Sequence, residues 1–169
     1  RIPTAEVLVS PTAYAAVSST AIIAPQAALT WDEQIFGAAR GWPQSVFVDQ
    51  NRLGFCDLPG VPEAIVWSVS GVPYNLKVGA DPTDAIVELA PNRTRVFYVV
   101  PGPEGSEFVF CSNALWYIPI NETNPLEPGS IAFKLVSRDG CARVKPTAVQ
   151  QTIIYMNAGF SVSGVVAPG

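Results

Sequence analysis

Three segments of this chain run the same way: Val46-Phe-Val-Asp-Gln-Asn-Arg-Leu-Gly-Phe55, Phe108-Val-Phe-Cys-Ser-Asn-Ala-Leu-Trp-Tyr-Ile118 and Ile153-Ile-Tyr-Met-Asn-Ala-Gly-Phe-Ser-Val162. In each, an apolar run reaches a tight polar turn containing Asn and returns as a second apolar run. Asn tolerates a left-handed backbone, so the pattern predicts a β-hairpin. A lone two-stranded ribbon that is apolar on both faces buries too little surface and leaves two unpaired edges. These hairpins must therefore stack on more sheet. Radial stacking of four-stranded blades and face-to-face packing of two sheets both meet that need. The spacing of the three units is irregular but comes near one propeller blade once a loop is allowed in the first gap.

The rest of the chain agrees with an all-β reading. Gly 13 and Pro 16 interrupt a 49% apolar composition every few residues, which favours many short elements. Runs rich in Val, Ile, Phe, Tyr and Trp predict strands at Val46–Asp49, Leu53–Cys56, Ala64–Val69, Ala85–Leu89, Val96–Val100 and Phe108–Cys111. The series continues at Leu115–Ile118, Ile131–Val136, Ala142–Lys145, Thr152–Met156 and Phe160–Val165. One short helix is expected near the N-terminus. Thr30 and Glu33 form a capping box, Trp31, Ile35 and Ala38 or Ala39 recur at helical spacing, and Gly41 and Pro43 stop the run. The expected organisation is an N-terminal segment, 1–29, of uncertain packing, and a β domain, 30–169, that forms part of a larger propeller. A β-sandwich is the alternative.

At 169 residues the chain suffices for one domain or a large piece of one, and its start at Arg1 suggests a processed or trimmed piece of something longer. Its longest apolar runs fall far short of the roughly 18 to 20 residues that cross a bilayer. Ala13 to Leu29 is apolar but broken by Ser18, Ser19, Thr20, Pro25 and Gln26, and it lacks the layout of a signal peptide. Ten basic against 14 acidic residues give a net charge of −4 with no Lys/Arg cluster, which disfavours tight binding to nucleic acid. Cys56, Cys111 and Cys141 are an odd set without Cys-x-x-Cys spacing and read as buried free thiols. The sequons at Asn92 and Asn121 are short enough to occur by chance.

The chain has no His, so a Ser-His-Asp triad, a Cys-His pair and the usual zinc sets cannot be built within one subunit. Glycine-rich phosphate-binding motifs are absent as well. Two acid pairs could in principle act on a glycosidic bond: Asp81 with Asp84, and Glu104 with Glu107. The first reads better as a capped turn and the second as a solvated loop, and Asp49, Asp57 and Glu63 read as turn or surface groups. Trp31, Trp42, Trp67 and Trp116, with Tyr74, Tyr98 and Tyr117, could stack on sugars. Trp67 and Trp116 lie in apolar strands and read as core, while Trp42 is less committed. Arg52, at a hairpin turn, is expected to pair with a carboxylate or to cap strand carbonyls. No residue is assigned as catalytic, cofactor-binding or metal-binding, no cofactor is expected, and the protein reads as a non-enzyme.

An ordered series of residues resembles the tail tubular protein B, or nozzle, family of short-tailed bacteriophages. It comprises Trp31, Glu33, Phe36, Gly41-Trp42-Pro43, Val46, Gln50, Arg52-Leu53, Pro62, Ile65-Val-Trp-Ser68 and Gly71, then Asp84-Ala-Ile86 and Phe108 to Ile118. It continues through Leu126-Glu-Pro128, Asp139-Gly-Cys-Ala-Arg-Val-Lys-Pro146 and Ile153 to Val162, so that the match spans about residues 31–165. Family members are usually several times longer, Ala90 to Glu107 follows the pattern poorly, and Arg1 to Leu29 matches nothing. The resemblance implies a propeller-like β domain in a ring, commonly of six copies, that extends the DNA conduit of the virion tail below portal and adaptor. The implied partners are other copies of the chain, portal, adaptor and tail fibre proteins, and genomic DNA that passes without sequence-specific binding. Assembly would take place in the bacterial host cytoplasm, with no membrane involved. From another functional class, a β-sandwich module that recognises host surface glycans through exposed aromatics is the alternative.

Overall fold

The computed structural model describes residues 6–10, 13–16 and 35–166. Its regular structure consists almost wholly of antiparallel strands, with two short 3-10 turns at Pro91–Arg93 and Pro103–Gly105. β1 (Glu6–Ser10) and β2 (Ala13–Ala16) pair as a separate hairpin within the segment of unassigned packing. The first sheet runs β3 (Ser45–Asp49), β4 (Arg52–Cys56), β5 (Ala64–Trp67) and β6 (Ile86–Leu89), each strand beside its chain neighbour. The second sheet repeats this meander with β7 (Val96–Pro101), β8 (Glu107–Cys111), β9 (Leu115–Ile118) and β10 (Lys134–Ser137). The third has three strands, β11 (Thr147–Val149), β12 (Thr152–Met156) and β13 (Val162–Val166). No sheet closes on itself among the described residues.

All three predicted hairpins form. Gln50 and Asn51, both at positive φ (44° and 61°), make the two-residue turn whose twist suits β3 and β4. Ser112 and Asn113 join β8 to β9, closed by the Cys111 N–H donating to the Ala114 carbonyl. Asn157 closes β12 onto β13, with its carbonyl accepting from the Phe160 N–H.

The sheets stack face to face in chain order. Phe47, Cys56, Ile65, Trp67 and Ile86 from the first meet Val96, Val99, Val109, Cys111, Trp116 and Ile118 from the second. The opposite face of the second sheet carries Phe108, Phe110 and Leu115, which pack with Cys141 and with Ile153 and Val165 of the third. β8 is therefore buried along both faces. The outer face of the first sheet holds Ala64 and Val66, covered by Leu58 and by Ile35 and Phe36. Gly54 makes the first contact possible: a Cβ there would lie 2.1 Å from the Phe47 ring, which stands edge-on to Trp67 at 6.1 Å. Gly140 does the same between the second and third sheets, because a Cβ there would lie 1.9 Å from the Ser112 carbonyl oxygen.

Two expectations need correction or restriction. Ala142–Lys145 alternates like a strand but is not one. The Val144 N–H donates to the Ala142 carbonyl in a γ-turn and Arg143 is drawn to Gln44 and Asp57, so the ladder starts only after Pro146, at β11. The expected helix begins outside the described residues. Its described end, from Ile35 to Arg40, is a turn closed by paired hydrogen bonds between Gly37 and Gly41. No helix among the described residues is long and apolar enough to cross a membrane.

Candidate functional site

The polar chemistry of the molecule is concentrated where the sheets meet. Asp57 follows β4, has φ 54° and is almost fully buried. Its Oδ1 accepts from Arg95 Nε (3.0 Å) and Nη2 (2.8 Å), and its Oδ2 from Arg143 Nη2. Arg95 leads into the second sheet and Arg143 into the third, so one carboxylate joins all three. Both guanidinium groups also lie near the Phe97 ring, at 5.8 and 5.9 Å from its centroid. This arrangement neutralises charge and fixes positions.

Arg52, at the start of β4, is 3% exposed and bonds to carbonyl oxygens rather than to a carboxylate. Nη1 donates to Ser68 O (2.7 Å) and Asp84 O (2.6 Å), and Nη2 to Pro82 O (2.6 Å). The guanidinium thereby ties the loop before β6 to the β3–β4 turn. Of the two roles expected for Arg52, carbonyl capping is the one observed.

The third cluster joins the first and second sheets. Glu107, the first residue of β8, is fully buried, and its Oε1 accepts from the Trp67 indole N–H at 3.1 Å. It also lies within electrostatic reach of Asp49, the last residue of β3. Burial, followed by the nearby Asp49 charge, pushes the Glu107 carboxyl up to about 8. Burial likewise raises Asp49 from its ordinary value, partly offset by a hydrogen bond from the Gln50 backbone.

Glu107 and Asp57 correct the reading of these acids as loop and surface groups. Local sequence shows turn formers around both, but their partners come from far along the chain, 40 residues away for Trp67 and Glu107, and 38 and 86 for Asp57 with its arginines. The Glu104 side chain and Trp31 lie outside the described residues. Asp81 and Asp84 form the expected capped turn: Asp84 Oδ2 accepts from the Asp81 N–H, and the Asp84 N–H donates to the Asp81 carbonyl. Trp67 and Trp116 are core, whereas Trp42 (62%) and Tyr74 (87%) are the exposed aromatics of that set. Cys56, Cys111 and Cys141 are free and buried, and burial pushes the Cys56 and Cys141 thiols up to about 12.

Among the described residues, no group of three or more Cys, Asp or Glu side chains is placed to hold a metal ion. A groove of about 180 Å³ lies between β3 and β7, with Lys145 and Pro146 at its side just ahead of β11. Its walls are mainly Val46, Val48, Val99 and Val100, and none of the acids described above lines it. No protein-family model matches the chain, and no curated protein matches it.

Proposed function

We propose that this chain is a structural protein of a short-tailed phage or prophage tail nozzle, and that its three sheets are successive blades of a propeller-like domain. The observation that carries this reading is the arrangement of first strands. The sheets are consecutive meanders stacked face to face in chain order, and β3, β7 and the residues ahead of β11 border one groove. Radial stacking puts the first strand of every blade toward a shared axis, whereas two sheets of a sandwich have no such requirement. The polar clusters support a mechanical role, because Asp57, Arg52 and Glu107 are all engaged in holding sheets or loops together.

On this reading the chain works as a wall. Copies joined in a ring, each carrying a net charge of −4, would present a weakly acidic conduit past which phosphates slide without being held. The test is native mass spectrometry and electron microscopy of the full gene product, together with duplex DNA retention at physiological salt. A ring with propeller-shaped density and no retained DNA is expected. A self-sufficient monomer, or a ring that retains DNA through a basic band, would refute the reading.

Trp42 and Tyr74 favour a second reading, a glycan-binding module, because both rings stand open to solvent. A glycan array supports that reading if a saccharide signal appears and is lost in Trp42→Ala.

A further inference from the structure

We propose that Asp49 and Glu107 share a single proton, and that this carboxyl–carboxylate pair is an alkali-sensitive latch between the first and second sheets. The geometry leads there by counting donors. Glu107 Oε1 is occupied by the Trp67 indole N–H, while Glu107 Oε2 and Asp49 Oδ2 are both buried and neither has a donor. Two ionised carboxylates would leave two buried acceptors without donors and their charges repelling. One proton, held by Glu107 and donated to Asp49, satisfies both oxygens at once.

Among the described residues the surroundings supply no counter-charge, and Cys56 of β4, which lies within electrostatic reach of Glu107, is a neutral thiol. Arg52 is paired with Asp49 across β3 and β4, but its guanidinium is committed to the Ser68, Pro82 and Asp84 carbonyls. From β5 the neighbour is Trp67. The strands flanking β8 are β7 and β9, whose titratable side chains are Tyr98 and Tyr117. Both tyrosines belong to the opposite face of that sheet, with Phe108 and Phe110. Glu127 acts on Arg52 rather than on the pair.

The sign follows from linkage. Folding raises Glu107 from an ordinary 4.5 to about 8, so the folded form holds a proton that the opened form releases. The latch is fully engaged below about pH 4.5, weakens as pH rises, and is spent once pH passes about 8, its proton going to solvent. In that window the opening constant grows by up to about tenfold per pH unit.

The test reads the Glu107 side-chain carboxyl by carbon NMR on the folded chain, and the urea midpoint between pH 5 and 9.5, in wild type and Glu107→Gln. Gln keeps an acceptor for Trp67 and a permanent donor for Asp49. The expected result is a Glu107 titration far above that of free glutamate, and a fall in the wild-type midpoint across the window that is flattened in Glu107→Gln. A Glu107 titration near the ordinary value, or an equal fall in the variant, overturns the proposal. So does a rise in the wild-type midpoint at alkaline pH on adding calcium chloride that Glu107→Gln abolishes, since a cation would then occupy the place of the proton. If Glu107→Gln does not fold, Asp49→Asn decides: without the like charge the Glu107 titration must move down, and an unchanged titration refutes the pair.

Discussion

Replacing Asp57 with Asn tests whether one carboxylate holds three sheets in register. Asn is the appropriate probe because it keeps the side-chain shape and tolerates the positive φ of this position, so backbone strain does not confound the result. Its remaining oxygen can still accept from Arg95, but its amide nitrogen then faces Arg143, donor against donor. A fully buried charge-assisted bond contributes roughly 1.5–3 kcal/mol. Here the arginine side chains are 39% and 45% exposed, so water screens them and each link contributes less. Losing the Arg143 link and weakening the Arg95 links should lower stability by about 1–2 kcal/mol, or about 3–6 °C in Tm for a domain of this size. Urea denaturation at constant m-value is the measurement, with a double-mutant cycle through Arg143→Ala. Wild type should also lose more stability than the variant as salt is raised. A change below about 0.3 kcal/mol, or strict additivity of Asp57→Asn with Arg143→Ala, would show that the cluster contributes nothing beyond its separate parts.

Gly54→Ala should cost about 1–3 kcal/mol, because its new Cβ meets the Phe47 ring; thermal unfolding checks this, and Phe47→Leu should recover part of the loss. Arg52→Lys keeps the charge but reaches fewer of the Ser68, Pro82 and Asp84 carbonyls. It should cost about 2–3 kcal/mol by urea denaturation, and faster hydrogen exchange should be centred on the loop before β6. With its thiols buried and Cys56 and Cys141 pushed up to about 12, the folded chain should be nearly inert to a disulfide reagent at pH 8. Labelling should then follow global unfolding, and a fast-reacting thiol in the folded state would contradict the packing.

What could be read in the sequence was local. The turn at Gln50 and Asn51 needs only residues adjacent in the chain, and so do the apolar runs of β8, β9 and β12; all were legible. Trp67 and Trp116 were legible as core because their immediate neighbours are apolar, whereas Arg52 was legible only as a structural side chain, because a hairpin turn offers a guanidinium both carbonyls and carboxylates and the carbonyls it takes lie far along the chain. Glu107 was not, since Glu104-Gly-Ser-Glu107 has the composition of a loop. Only the arrival of Trp67 from another sheet and the pairing of β8 with β7 and β9 make its last residue interior. Ala142–Lys145 misled for the same reason in reverse: its alternation fits a strand, but the long-range attraction of Arg143 to Asp57 takes the backbone elsewhere. A signal for both existed in principle, a charged residue bordering an apolar strand, but it does not reveal which partner satisfies it.

The placement of these polar groups bears on how a stack of sheets becomes rigid. Apolar contact between two sheets is strong but hardly directional, so it determines that the sheets pack more firmly than it determines their relative rotation. Asp49 stands at the turn end of the β3–β4 hairpin, paired across it with Arg52, and Asp57 follows the other end, where Ser45 pairs with Cys56. A five-residue strand separates them, about 17 Å. With the shared proton proposed above, the first sheet is tied to the second at two separated points, through Glu107 and through Arg95, with Phe47, Trp67, Val99 and Val109 packed between. One tie would leave a pivot, whereas two directional ties on either side of an apolar contact oppose rotation. The arrangement therefore converts burial into a fixed angle between sheets, which is what a load-carrying wall requires of its parts and what a chain built only of apolar ribbons would lack.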